Sequence, residues 1–369
     1  MTSPPERIQA LVDQAVTDRI TPGGVWALGD DTGLVHQGTA GVLDPDDPTP
    51  VRADTLWDLA SLTKVIAVWA LIGTWWQTGA LDLDEPLGRL MPDRVDGAPL
   101  SPVTVRQLLT HTAGLPWRSR LRELYGTEPE RIRRGSLREA LNRPPGQAVD
   151  CTDRAALILG YLAEHLGGAP LPNLATERVW APLGMDDTRC GPLPDDLAVR
   201  AAPTEVDAET GNRLRGRPHD FSARLLGGAC GIAGAFGSLD DLARFLTHMV
   251  APGPAAFSEK WVRESLQTQT GDLQPSRGLF WHPATDADDG VWAHYGFTVP
   301  QPGSPPIGAR GRSFSPTRSI TAATGSPSGN YATPCGRPHS EAVVIWPSGS
   351  PGEAICGKTD IRFPFIFPL

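Results

Sequence analysis

The chain has no run of about 18 apolar residues, so no segment has the length that a membrane-crossing helix requires. Its first residues, Met1 to Ala15, lack the basic-then-apolar pattern of a secretory signal, and a cytoplasmic location is the expectation. Cysteine is scarce, with five residues scattered through 369. Such spacing supports neither a disulfide framework nor a zinc site, and free thiols are expected. The eight histidines include no His-Glu-x-x-His spacing, so metal catalysis is not expected and no cofactor is called for. Positive charge is in deficit too. A formal net charge of -9 argues against nucleic acid or an anionic membrane as partner.

What is present is enough apolar material for a large core, 40% of the residues. Ser3, Pro4 and Glu6 read as the start of a helix with a capping box, and Ile8, Leu11, Val12 and Ala15 as its buried face. Gly24–Leu28 and Leu34–Gly38 read as strands joined through Asp30-Asp31-Thr32-Gly33, a hairpin signal. Further helices are expected over Ser61–Gln77, Thr104–Thr110 (with Gly114 as terminator), Thr152–Leu166 and Leu239–Met249, the last capped by Ser238. Trp292–Thr298 reads as a strand. Helices in the middle and strands at the ends predict an α+β fold, an antiparallel sheet flanked by helices with a mostly helical insert. The sheet region is expected at 1–55 and 280–298 and the helical region at 56–279. Trp57, Trp69, Trp75, Trp76 and Trp117 are expected as core and pocket walls.

Chemistry concentrates in the run Ala60-Ser61-Leu62-Thr63-Lys64-Val65. A serine hydroxyl is inert at neutral pH unless a neighbouring group takes its proton. Residues three apart share a helix face, so the Lys64 amine can reach the Ser61 oxygen. The start of this amphipathic helix adds partial positive charge where an oxyanion would form. The apolar stretch from Val65 to Trp76 implies a buried setting.

Asp58-Leu59-Ala60-Ser61-Leu62-Thr63-Lys64 is joined downstream by Leu108-Leu109-Thr110-His111-Thr112-Ala113-Gly114-Leu115. Trp180-Ala181-Pro182-Leu183-Gly184-Met185 and Gly227-Gly228-Ala229-Cys230-Gly231-Ile232-Ala233-Gly234 follow. Together these runs resemble the superfamily of serine β-lactamases, penicillin-binding proteins and class C-like esterases, over roughly residues 5 to 298. The resemblance implies a β-lactamase/transpeptidase-like fold and treats His111 as structural. It implies that Cys151-Thr152-Asp153 stands where the family carries Tyr-x-Asn or Tyr-Ser-Asp. Asp153 would then hold the lysine, while Cys151 replaces the tyrosine that shuttles a proton to the leaving group. A thiol is shorter and bonds more weakly, so either a water fills the gap or catalysis is impaired. A buried inert cysteine is the competing reading. His294-Tyr295-Gly296, followed by Phe297, resembles the family's third box. There His294 would anchor a substrate carboxylate or carbonyl or tune Lys64, and Gly296 would let substrate approach. The amides of Ser61 and Phe297 would form the oxyanion hole. Lys358-Thr359-Asp360 is set aside, because aspartate cannot replace the glycine of that box.

The resemblance implies a serine hydrolase acting on esters or amides through a Ser61 acyl-enzyme with Lys64 as base. An acyltransferase of the same fold and an impaired, non-catalytic relative are the alternatives. From Val299 the composition turns rich in Pro, Gly and Ser and net basic. Residues 299–369 are expected to be irregular, with the family's C-terminal strand and helix missing. Back-translating Arg312 to Cys335 in a shifted frame permits an apolar strand and a charged helix. A frameshift near codon 298 or 299 is the expectation that follows.

Overall fold

The computed structural model describes residues 3–19, 21–44, 47–117, 120–207, 210–283, 291–297, 319–325 and 341–345. For Asp47, Val291, Phe297 and the segments after residue 318 it describes the backbone alone. Helix α1 (Pro4–Thr17) begins where Ser3 N–H donates to Glu6 Oε2 at 2.7 Å. Its face of Ile8 and Val12 packs on Trp26 of the first strand. Strands β1 (Gly23–Asp30) and β2 (Gly33–Asp44) form the expected hairpin, and Asp30 closes its turn by accepting Thr32 N–H at 2.8 Å. β3 (Asp47–Pro50) pairs with β2.

Three short strands, β4 (Trp57–Asp58), β5 (Arg189–Cys190) and β6 (Ala235–Gly237), make a small sheet in the order β4-β6-β5. The main sheet is completed by β7 (His282–Pro283), β8 (Val291–Phe297), β9 (Ser319–Gly325) and β10 (Glu341–Ile345). Its order is β3-β2-β1-β10-β9-β8-β7, antiparallel throughout. Among the helices, α2 (Val105–Leu109) and α3 (Asp153–Gly167) pack on each other in the helical region, and α4 (Leu239–Val250) lies against the main sheet. The first is capped by Thr104, the second by Thr152 and the third by Ser238, each accepting a first-turn N–H. Among the described residues no helix is long and apolar enough to cross a membrane.

The tail differs from its expectation in two places. Ser319–Gly325 and Glu341–Ile345 are strands, seated between β1 and β8 in the middle of the sheet. Without them β1 and β8 would each present a row of unpaired amides and carbonyls, and the β-branched runs Ile320-Thr321 and Val343-Val344-Ile345 suit strand geometry. The rest of 299–369, including Lys358-Thr359-Asp360, lies outside the described residues.

The helical run bearing Ser61 is buried all round rather than amphipathic. It opens as a 3-10 turn (Ala60–Leu62), widens to π-type turns (Lys64–Trp69) and continues as α-helix (Ala70–Trp76). Trp69 lies at the centre of the core, edge-on to Phe257 (4.8 Å between centroids) and Trp281 (5.9 Å), with Trp261 at 5.5 Å. A Cβ on Gly73 would fall 2.3 Å from Trp261, so glycine there admits the Trp69–Trp261 contact. Truncating a core tryptophan costs about 3–5 kcal/mol, a large share of a typical ~5–15 kcal/mol stability. This packing makes the run a fixed base for the residues at its N-terminus. Trp57 and Trp75 are buried as expected, whereas Trp117 is 56% exposed.

Candidate active site

The 3-10 turn carries Ser61 and the first π-type turn carries Lys64, and the two side chains meet. Lys64 Nζ lies 2.6 Å from Ser61 Oγ. The same nitrogen lies 2.9 Å from Asp153 Oδ1, at the first position of α3. Lys64 is 5% exposed, so this amine is held out of bulk water between a hydroxyl and a carboxylate. The Lys64 charge lowers the Asp153 carboxyl from its ordinary value, against the opposing effect of burial. An acid whose folded pKa is depressed stabilises the fold above its ordinary value near 3.8, and that stability is lost as pH falls through the lowered value. The melting-temperature difference between the parent and Asp153→Asn should therefore hold steady above about pH 4. It should shrink as pH is lowered further, and thermal denaturation in a pH series checks this.

Asp153 is placed by its neighbours in the second box. Thr152 Oγ1 donates to the Pro116 carbonyl at 2.7 Å and accepts from Arg154 N–H at 3.2 Å. Thr152 N–H donates to His111 Nδ1 at 3.4 Å. Burial, with the Arg277 and Lys64 charges, pushes the His111 imidazole down to about 3, so the ring is neutral and free to accept. His111 thus tethers the second box. Arg154, fully buried, pairs with Glu139 and anchors the start of α3 from beneath. Cys151 is a free, exposed thiol, which removes the reading of a buried inert cysteine.

The third box departs from its expected roles. His294 is 8% exposed and faces inward. Its Nδ1 lies 2.6 Å from the Phe280 carbonyl and its Nε2 3.1 Å from the Ser61 carbonyl. Both ring nitrogens are engaged with backbone, so neither is left to anchor a substrate carboxylate or carbonyl. Burial first, then the Lys64 and His282 charges, push its imidazole down to about 3. Gly296 also serves the protein itself, since a Cβ there would fall 2.7 Å from the Leu59 carbonyl. Its missing side chain lets β8 approach the turn that bears the nucleophile. Alternation along the strand sends Tyr295 to the opposite face, where its ring stacks on His282 at 4.8 Å. Phe297 ends β8. Beyond Ala293 the edge of β8 facing away from β9 pairs with no strand among the described residues.

Asp58, which the sequence marks only as part of a motif, proves central to the backbone. It is 4% exposed, and its two carboxylate oxygens accept from Ala60 N–H at 2.9 Å and His219 N–H at 2.6 Å. Ala60, immediately before Ser61, has a φ of +45°, in the left-handed region that a side chain disfavours. His111 (φ +59°) and Phe280 (φ +66°) share that conformation, and their rings lie 5.4 Å apart. Strained non-glycine residues persist where surrounding contacts over-determine them. The alternating polar and apolar letters carry no signal of such backbone strain.

A hydroxyl, a buried amine and a carboxylate thus meet between a helical insert and an antiparallel sheet. The chain belongs to the Beta-lactamase family, which matches residues 8–322. It is 29% identical to Esterase EstB of Burkholderia gladioli, over 74% of this chain and 77% of that protein. Among solved structures it superposes on the octameric penicillin-binding protein homologue from Pyrococcus abyssi with a TM-score of 0.69 and 18% identity, covering 94% of this chain and 74% of that one. A mutant of simvastatin synthase from Aspergillus terreus also gives 0.69, at 20% identity, with 96% and 91% covered. These two likenesses establish the fold.

Proposed function

We propose that this protein is a serine hydrolase that cleaves small esters or related amides through an acyl-enzyme on Ser61. One observation carries the reading: Lys64 Nζ lies 2.6 Å from Ser61 Oγ while Asp153 holds it from the other side at 2.9 Å. In the first step the uncharged Lys64 amine takes the Ser61 proton as Oγ attacks the carbonyl carbon. The amides of Ser61 and Phe297 stabilise the oxyanion, and the leaving group departs with a proton returned from the lysine. Water, or an alcohol or amine as in an acyltransferase, then attacks the acyl-enzyme by the reverse path. The kinship with an esterase of 77% coverage favours esters as the first substrates to try. The test is a panel of chromogenic carboxylic esters beside a panel of β-lactams, with intact-mass analysis of the protein during turnover. Turnover with an acyl increment on the peptide bearing Ser61 is expected, and turnover with no covalent species on it would overturn the reading.

Cys151 bears on the second half-reaction as well as the first, because a relay that protonates the leaving group runs in reverse when water attacks the acyl-enzyme. Its exposed thiol is too short to reach where a tyrosine hydroxyl would pass a proton. Deacylation is therefore expected to be the slow step, with acyl-enzyme accumulating in a burst. Cys151→Tyr should raise the steady-state rate by about 10-fold or more, as a positioned proton donor typically does. An unchanged rate and an unchanged burst would show that tyrosine is not the missing element.

A further inference from the structure

The nucleophile is fixed by its side-chain partner and also by its main chain. On the N-terminal side, Asp58 accepts Ala60 N–H at 2.9 Å while its second oxygen is held by His219 N–H at 2.6 Å. On the C-terminal side, His294 Nε2 meets the carbonyl of Ser61 itself at 3.1 Å. Between these two grips the backbone takes the left-handed φ of +45° at Ala60. A relaxed alanine would turn back toward negative φ. That movement would swing the Ser61 amide and Oγ away from Lys64 and from β8. Two further contacts fix the frame around them: Leu59 N–H donates to the Ala235 carbonyl at 2.9 Å, and Ala235 N–H donates to Thr63 Oγ1 at 3.1 Å.

We propose that Asp58 and His294 are positioning residues that clamp the backbone on either side of Ser61, holding Ala60 in its strained form so that hydroxyl and oxyanion amide face the substrate together. Neither touches the reacting atoms. Asp58 acts through Ala60, and the grip on His219 keeps its carboxylate from rotating. His294 acts through the Ser61 carbonyl and ties it to β8, the strand that ends in Phe297. A neutral imidazole has one N–H for its two carbonyls, and the form this clamp uses is the one in which Nε2–H donates to Ser61; Nδ1 is then a bare lone pair, and its 2.6 Å approach to the Phe280 carbonyl lengthens in that form. The proposal rests on the Ser61 reading above for its kinetic consequences, while its structural content stands apart from that reading.

The experiment compares Asp58→Asn, Ala60→Gly, the double variant, His294→Gln and His294→Asn, with p-nitrophenyl butyrate as the probe substrate. The first outcome expected is that Asp58→Asn lowers kcat about 10-fold or more and leaves KM within about twofold, because ground-state binding does not use the strained turn. Glycine adopts positive φ without penalty. In the Ala60→Gly background the same Asp58→Asn change should therefore cost clearly less, a coupling that a merely structural aspartate would not produce. Glutamine places its amide nitrogen near the site of Nε2 and asparagine near that of Nδ1. His294→Gln should therefore retain several-fold more kcat than His294→Asn. Hydrogen exchange of the 56–66 peptide, read without any substrate, should quicken in Asp58→Asn relative to the parent. Additive effects in the double variant, equal kcat for the two His294 variants and unchanged exchange would overturn the clamp. If no ester is turned over, the Ser61 reading fails, and the exchange measurement alone then decides the clamp.

Discussion

Replacing Ser61 by alanine should lower ester hydrolysis by at least about four orders of magnitude and abolish the acyl increment on the protein. The size follows from the role. A nucleophile removed from an assembly that acts as a unit takes nearly all of the catalysis with it, and what remains comes from the oxyanion site and from binding. The loss should fall on kcat, with KM nearly unchanged, because the carbonyl still meets the same amides. Folding should be unaffected. Ser61 is only half-buried, and among the described residues its hydroxyl pairs with Lys64, which keeps Asp153 at 2.9 Å. A Ser61→Ala protein that melts like the parent yet keeps its hydrolytic rate would move the nucleophile elsewhere.

The second large effect concerns the proton. Lys64→Met should reduce kcat about 10²–10⁴-fold, the range that a positioned general base contributes. Lys64→Arg is the sharper variant. A guanidinium keeps the positive charge and the pairing with Asp153, but it does not deprotonate in proteins. If Lys64 serves as base, arginine and methionine are equally poor. If only its charge matters, arginine should recover most of the rate. Asp153 loses its counter-ion in the methionine variant, yet its side chain is 47% exposed and can be solvated, so the fold should survive. Comparing the two variants on one ester, each with its melting temperature, separates the chemical role from the electrostatic one.

The elements that came through from sequence share one property, a local signal. The hairpin at Asp30–Gly33, the helices starting near Thr104 and Thr152, the cap at Ser238, and the partnership of Ser61 with Lys64 depend on residues a few positions apart. Asp153 was legible through its box and meets Lys64 as expected. What stayed hidden was set by tertiary packing. His294 stands in a recognisable box, but its inward direction depends on how closely β8 approaches Leu59, which Gly296 allows. Asp58 could be read in a motif, but its two amide partners include His219, far along the chain. The positive φ values at Ala60, His111 and Phe280 are imposed by contacts and leave no trace in residue type. The two strands of the tail were masked by the surrounding Pro and Gly, which dominate its composition.

Chain order and sheet order diverge sharply in this molecule, and synthesis must live with the difference. β10 lies hydrogen-bonded to β1, Val25 opposite Ile345, so neighbours in space are separated by on the order of three hundred residues of chain. A ribosome delivers the first hairpin well before the strand that joins it to β9 and β8. Until that delivery the two halves of the sheet have open rims, and the hydroxyl–amine pair waits beside a wall that is not yet fastened. The Ser61–Lys64 pair is therefore made long before the strand that ties the first hairpin to β9 and β8.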